Sequence, residues 1–162
     1  MLGSAQGPLS GIRVIALEQA VAGPLCTRHL ADLGADVIKI ERPDGGDFAR
    51  RYDTAVKGES SYFVWLNRNK RSLTLNVKHP AAAEILHRLL GEAVVFVQNF
   101  GPGAVDRLGL GATELRERYP RLVICGISGY GTGGPYERNK AFDLLLQGET
   151  GVIATTGTDD AP

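Results

Sequence analysis

Short runs of branched apolar residues alternate with segments of helical periodicity along most of this chain, and that alternation constrains the fold more than any other feature. Ile12 to Leu17 is one such run. After a short turn it gives way to Pro24 through Leu33, where apolar side chains recur at helical spacing and Gly34 can end the helix. Asp36 to Ile40 then reads as a second buried strand. The opening therefore predicts a βαβ unit with parallel strands and a right-handed crossover.

The pattern continues. A loop at Pro43 to Asp47 leads into a stretch containing Tyr62, Phe63, Trp65 and Leu66 that fits helix and strand equally. From Ser72 the alternation Leu73, Leu75, Val77 predicts a strand, and Pro80 to Leu90 a helix with Ile85, Leu86, Leu89 and Leu90 as its apolar stripe. Val94 to Val97 is the fourth strand. Ala104 to Leu108 and Thr113 to Arg118 are short helices, and Leu122 to Ile127 is the fifth strand. Strands and helices in this order predict an α/β, doubly wound, mostly parallel sheet, whose ligands gather at the carboxyl ends of strands. Gly151 to Pro162 offers no closing element, so the sheet is expected to be incomplete within these residues.

With 162 residues and 43% hydrophobic content, one domain with its own core is the starting expectation. Eighteen basic and eighteen acidic side chains cancel, so no net field favours nucleic acid or an anionic membrane. No apolar run approaches bilayer length, and Met1 to Ser10 lacks a basic start followed by an apolar block, which predicts an unexported protein. Cys26 and Cys125 lie far apart without metal-ligand spacing and read as reduced core thiols, suiting the cytoplasm. His29, His79 and His87 form no metal motif, although His79 and His87 fit neighbouring turns of one helix.

Chemistry has few candidates. The turn Val21-Ala22-Gly23-Pro24 places small residues at a helix start, where free amides favour an anion; taken alone, it reads better as a plain tight turn with proline in the first helical turn. Gly129, Gly131 and Gly134 form a GxGxxG after a strand, which would suit a non-catalytic nucleotide-binding module. Pro135, Tyr136, Glu137, Arg138 and Lys140 interrupt the helix entry that such a site needs, so a covering loop fits better. Arg42, Lys78, Arg107 and Lys140 follow successive strands and would line one edge, a rim suited to several phosphates. Read alone, they are also ordinary loop charges. Asp143, Asp159, Asp160, the cysteines and the serines lack a paired base or a GxSxG elbow.

The runs Ala22-Gly23-Pro24, Leu33 to Pro43, Asn69-Lys70-Arg71-Ser72, Asn99 to Gly103 and Ile127 to Gly131 resemble, in order and spacing, the family III CoA-transferases, the group of formyl-CoA transferase and the CaiB/BaiF enzymes. The likeness runs from about Leu9 to Pro162. It implies a Rossmann-like domain of which this chain is the N-terminal part, without the smaller domain or the C-terminal completion. It implies coenzyme A, carried as acyl-CoA, as the ligand, with no metal. The contacts implied are Val21, Ala22, Arg42, Leu75, Asn76, Val77, Lys78, Asn99, Phe100, Gly101, Arg107, Lys140 and Ala141.

The resemblance also implies the reaction: CoA passes from an acyl-CoA to a small carboxylic acid through an aspartyl intermediate. The nucleophile falls beyond Thr155-Thr156-Gly157 and past Pro162, so no catalytic residue is assigned here and the chain alone is expected to be inactive. Interlocked homodimers are implied as well. Val21 stands where formyl-CoA transferase has a glutamine, which points to a different acid. The α-methylacyl-CoA racemases look similar, but they carry a catalytic histidine where this chain has Phe142, a side chain unable to take a proton.

Overall fold

A computed structural model describes residues 7–158, which fall into two compact units, one ending at Ile127 and the other beginning at Ser128. The first holds a sheet of five parallel strands: β1 (Arg13–Leu17), β2 (Asp36–Glu41), β3 (Arg71–Thr74), β4 (Val95–Gln98) and β5 (Val123–Gly126). Their spatial order is β3-β2-β1-β4-β5. The chain therefore starts in the middle, builds outward on one side, then returns to build the other, as the doubly wound α/β reading expects. Register is set by Val14 opposite both Val37 and Val95, with Ile38 opposite Arg71 and Val95 opposite Val123.

Helices cover both faces, which is why the central strands are apolar on both sides. On one face Ile15, Leu17, Ile38, Ile40 and Phe96 pack against Leu86 and Leu90 of α3 (Ala82–Gly91) and Leu115 of α4 (Ala112–Arg118). On the other, the smaller Val14, Ala16, Val37 and Val97 meet Ala31 of α1 (Ala22–Asp32). Small side chains there let α1 approach closely. Its partner α2 (Ser61–Asn67) resolves the ambiguous aromatic stretch as helix, started by Ser60, whose hydroxyl accepts from the Phe63 amide. The second unit contains α5 (Asp143–Glu149) and a tight turn at Ile153–Thr155.

Three local expectations need correction. The third strand stops at Thr74, because its hydrogen-bonding partner β2 ends at Glu41; Leu75 and Val77 lie in the following loop yet still pack on the core. His79 precedes α3, so it shares no helix with His87. Only Asp106–Leu108 of the expected Ala104 helix is helical, a single tight turn closed by Gly109 at φ 69°.

Candidate functional site

Strand periodicity puts Val14, Ala16 and Glu18 on the face beneath α1, with Val37, Lys39 and Glu41 beside them. Near its carboxyl end this face thus changes from apolar to charged while still buried. Lys39 is 1% exposed, and an ammonium at such depth requires partners. Its Nζ donates to Asp47 Oδ2 at 2.7 Å and stands 3.7 Å from Glu18 Oε1. Glu18 also accepts from Thr27 Oγ1 at 2.7 Å and from Lys70 Nζ at 2.8 Å. Lys70 donates further to the Pro24 carbonyl and Asn67 Oδ1, so all three ammonium protons have acceptors. Glu41 is gripped by Arg50 through both oxygens, at 2.8 and 2.9 Å, and accepts from Ser72 and the Asp47 amide.

These contacts shift titration. Burial pushes the Glu41 carboxyl up, but hydrogen bonds from Arg50, Ser72 and the Asp47 amide outweigh it and hold the group at about 2. Burial pulls Lys70 down to about 8 against the opposing pull of Glu18. A small cavity of about 100 Å³ lies here, with Lys39, Glu41, Arg50, Phe63, Lys70 and Ser72 in its wall. Arg50 sits over the Phe63 ring at 3.7 Å, a cation stacked on an aromatic face. The network links β1, β2, α1, α2 and the loop after β2 through ion pairs and hydrogen bonds.

The loops above it carry most of the residues singled out from sequence. Val21 and Ala22 form the start of α1 after β1; Arg42 follows β2; Leu75, Asn76, Val77 and Lys78 follow β3; Asn99, Phe100 and Gly101 follow β4, with Arg107 in the tight turn beyond. All stand after carboxyl ends of parallel strands, and Val21, Ala22 and Asn99 flank β1 and β4, between which the order of strands reverses. Ala22, Arg42, Asn76, Lys78, Gly101 and Arg107 are exposed, while Leu75, Val77 and Phe100 are half-buried against the core. Arg42 Nε donates to the Gly46 carbonyl at 2.9 Å. The Asn99 amide is bonded to the main chain of Gln19 at 2.9 and 2.8 Å.

Lys140 and Ala141 belong to the second unit, where both are exposed; Ala141 packs so near Gly129 that a Cβ there would stand 2.2 Å from its own. The Gly129, Gly131, Gly134 loop enters no helix before Asp143. Asp143 opens α5 as its first-turn acid, while Asp159 and Asp160 lie outside the described residues. Distant in sequence, the two thiols are neighbours in the fold: burial raises the Cys26 thiol, and the nearby Cys125 pushes it the same way. Among the described residues no cluster of three or more His, Cys, Asp or Glu has metal-holding geometry, and no helix is long and apolar enough to cross a membrane.

Sequence reasoning missed Glu18, Lys39, Asp47 and Arg50, and gave Lys70 no role of its own. A signal existed for Lys39: a lysine between Ile38 and Ile40 in a buried strand demands carboxylates, and Glu18 after the first strand was available.

A parallel sheet of this strand order defines the doubly wound class of α/β folds, and known structures narrow the class. A CaiB/BaiF family protein from Brucella suis superposes with a TM-score of 0.87 and 38% identity, across 96% of this chain and 42% of that one. The family model for CoA-transferase family III matches residues 9–162, and the chain belongs to that family. It is 43% identical over 155 residues to formyl-CoA:oxalate CoA-transferase of Rhodopseudomonas palustris strain HaA2, covering 95% of this chain and 36% of that protein. With mouse succinyl-CoA:glutarate CoA-transferase the identity is 39% over 154 residues, covering 94% of this chain and 35% of that protein. The chain thus spans about a third of the length of these two relatives.

Proposed function

We propose that the whole protein transfers coenzyme A from an acyl-CoA to a small carboxylic acid, and that this chain supplies the CoA-gripping edge of its Rossmann-like domain. The observation that carries the reading is topological: Val21, Ala22 and Asn99 to Gly101 flank the point where strand order reverses, which is where open α/β sheets bind ligands. Arg42, Lys78 and Arg107 follow the neighbouring strands, as a phosphate-bearing ligand requires. Two relatives are named for CoA transfer to dicarboxylic acids, which supports an acid acceptor here. Chemistry then runs through an aspartyl intermediate on a residue outside these 162, in a cytoplasmic homodimer whose smaller domain and C-terminal completion also lie outside them. Alone, the chain binds CoA without turnover.

The test is the full-length protein incubated with succinyl-CoA and a panel of carboxylic acids. Movement of CoA onto an acid is expected. Epimerisation of an α-methylacyl-CoA without any transfer would overturn the reading. In the same protein Arg42→Ala is expected to weaken CoA binding by about 1.5–3 kcal/mol, the scale of a charged hydrogen bond. An unchanged affinity would make Arg42 a plain surface charge.

A further inference from the structure

The turn joining β1 to α1 is clamped by two side chains from elsewhere in the sequence. Asn99 Oδ1 accepts from the Gln19 amide at 2.9 Å, and Asn99 Nδ2 donates to the Gln19 carbonyl at 2.8 Å. The next residue, Ala20, donates its amide to Oδ1 of Asp47 at 3.0 Å. Asp47 is itself fixed, since Oδ1 also accepts from the Ala49 amide and Oδ2 is paired with Lys39. Between these two jaws Ala20 adopts φ 62°, a left-handed conformation that residues with a side chain avoid. An alanine stays there only when its surroundings over-determine it. Gly23 completes the fit, because a Cβ there would lie 2.9 Å from Asn99 Cγ and 3.0 Å from Glu18 Cβ.

Resting on the reading above, we propose that Asn99 is a positioning residue: its side chain does not grip coenzyme A but holds residues 19–22 in the strained shape that presents Val21 and Ala22 to it. Both of its polar groups already face the Gln19 main chain, and this pair of bonds spans the gap between β1 and β4. With the clamp gone, Ala20 relaxes to negative φ and the start of α1 turns away from the ligand.

The experiment is steady-state kinetics of the full-length protein. Asn99→Ala is expected to raise KM for the acyl-CoA roughly 10-fold, the scale of one or two uncharged hydrogen bonds, leaving kcat unchanged. A variant that is merely less stable would lose active enzyme and lower kcat instead. Adding Ala20→Gly is expected to restore much of the affinity, because glycine takes positive φ without steric cost. If Asn99 instead bonded CoA directly, no change at residue 20 could replace that bond. Should Asn99→Ala fail to fold, Asn99→Ser, uncharged and too short to bond both Gln19 groups, is expected to show a rise in the same KM, again reversed by Ala20→Gly. The proposal is overturned by an unchanged acyl-CoA KM, or by a rise that Ala20→Gly leaves in place. Calorimetry separates the two levels: wild type that does not bind CoA removes the functional reading and this inference together. CoA binding weakened by Arg42→Ala but indifferent to Asn99→Ala removes only the latter.

Discussion

Replacing Lys39 by methionine keeps nearly the same length and shape while deleting the ammonium, so it isolates what the buried charge contributes. In the wild type that ammonium lies 2.7 Å from Asp47 Oδ2 and 3.7 Å from Glu18 Oε1, and the side chains of both acids are fully buried. Glu18 retains Lys70 at 2.8 Å; Asp47 keeps only the Ala20 and Ala49 amides. A unit-charge pair near 4 Å is worth about 4 kcal/mol at an effective dielectric constant of 20, and breaking a buried pair costs about 3–5 kcal/mol when one partner is left behind. Lys39→Met is therefore expected to destabilise by that amount, read from urea unfolding with an unchanged m value. The double variant Lys39→Met/Asp47→Asn no longer strands the acid and is expected to recover at least about 1 kcal/mol of the loss. A single variant within about 1 kcal/mol of wild type would show that water already reaches these charges, and a double variant with no recovery would trace the loss to packing.

Two further outcomes follow from the same region. Gly23→Ala must displace Asn99 or Glu18, since its Cβ would stand 2.9–3.0 Å from them, and it is expected to lose about 1–3 kcal/mol of stability in thermal unfolding; a neutral result would mean the β1–α1 turn gives way freely. Glu41 supplies the acid limb: its folded value of about 2 lies below the ordinary 4.5, so its stabilisation is complete above about 4.5 and is lost as the pH falls toward 2. The whole effect is on the order of 2–3 kcal/mol, and Glu41→Gln is expected to flatten the decline in urea midpoint over that window, an equal slope in both proteins being the contrary result.

Much of the fold is legible in the sequence because its signal is local. The runs beginning at Ile12, Asp36, Val94 and Leu122 are rich in apolar residues, as a covered parallel sheet needs, and all four are strands within a residue or two. The third strand is shorter than its pattern predicts because the Leu73, Leu75, Val77 alternation reports which side chains reach the core, not how far β2 extends beside them. The aromatic stretch around Trp65 is ambiguous for a related reason. Its helix buries only Leu66 fully and leaves Tyr62, Val64 and Trp65 exposed, so it carries no amphipathic period to be read. In the candidate site, loop cations at strand ends are visible one by one. The pairing of Lys39 with Asp47 and of Asn99 with Gln19 depends on which strands lie side by side, and spacing along the chain does not carry that.

The position of the charged network has a physical logic that links stability to function. Loops at the carboxyl ends of a parallel sheet need polar surface to receive the anionic ligand proposed here, and while Leu75, Val77 and Phe100 anchor the loops after β3 and β4 on the core, the loops after β1 and β2 are held by polar contacts. Asp47 holds the loop after β2 and the Ala20 amide, Lys70 holds the Pro24 carbonyl at the start of α1, and Arg50 and Ser72 converge on Glu41 at the end of β2. Each bond is directional, and a misplaced loop would leave a charge buried without its partner, at a penalty far larger than the cost of a shifted methyl group. The acids Glu18, Glu41 and Asp47 are balanced by Lys39, Lys70 and Arg50, so the network fixes geometry without setting up a negative field that would repel phosphates above it. On this argument the cations that follow the strands, Arg42 and Lys78 among them, remain free to set affinity, while the ion pairs beneath set shape. Substitutions of the loop cations and of the ion pairs should therefore separate cleanly, the former changing the proposed CoA binding at constant stability and the latter changing both.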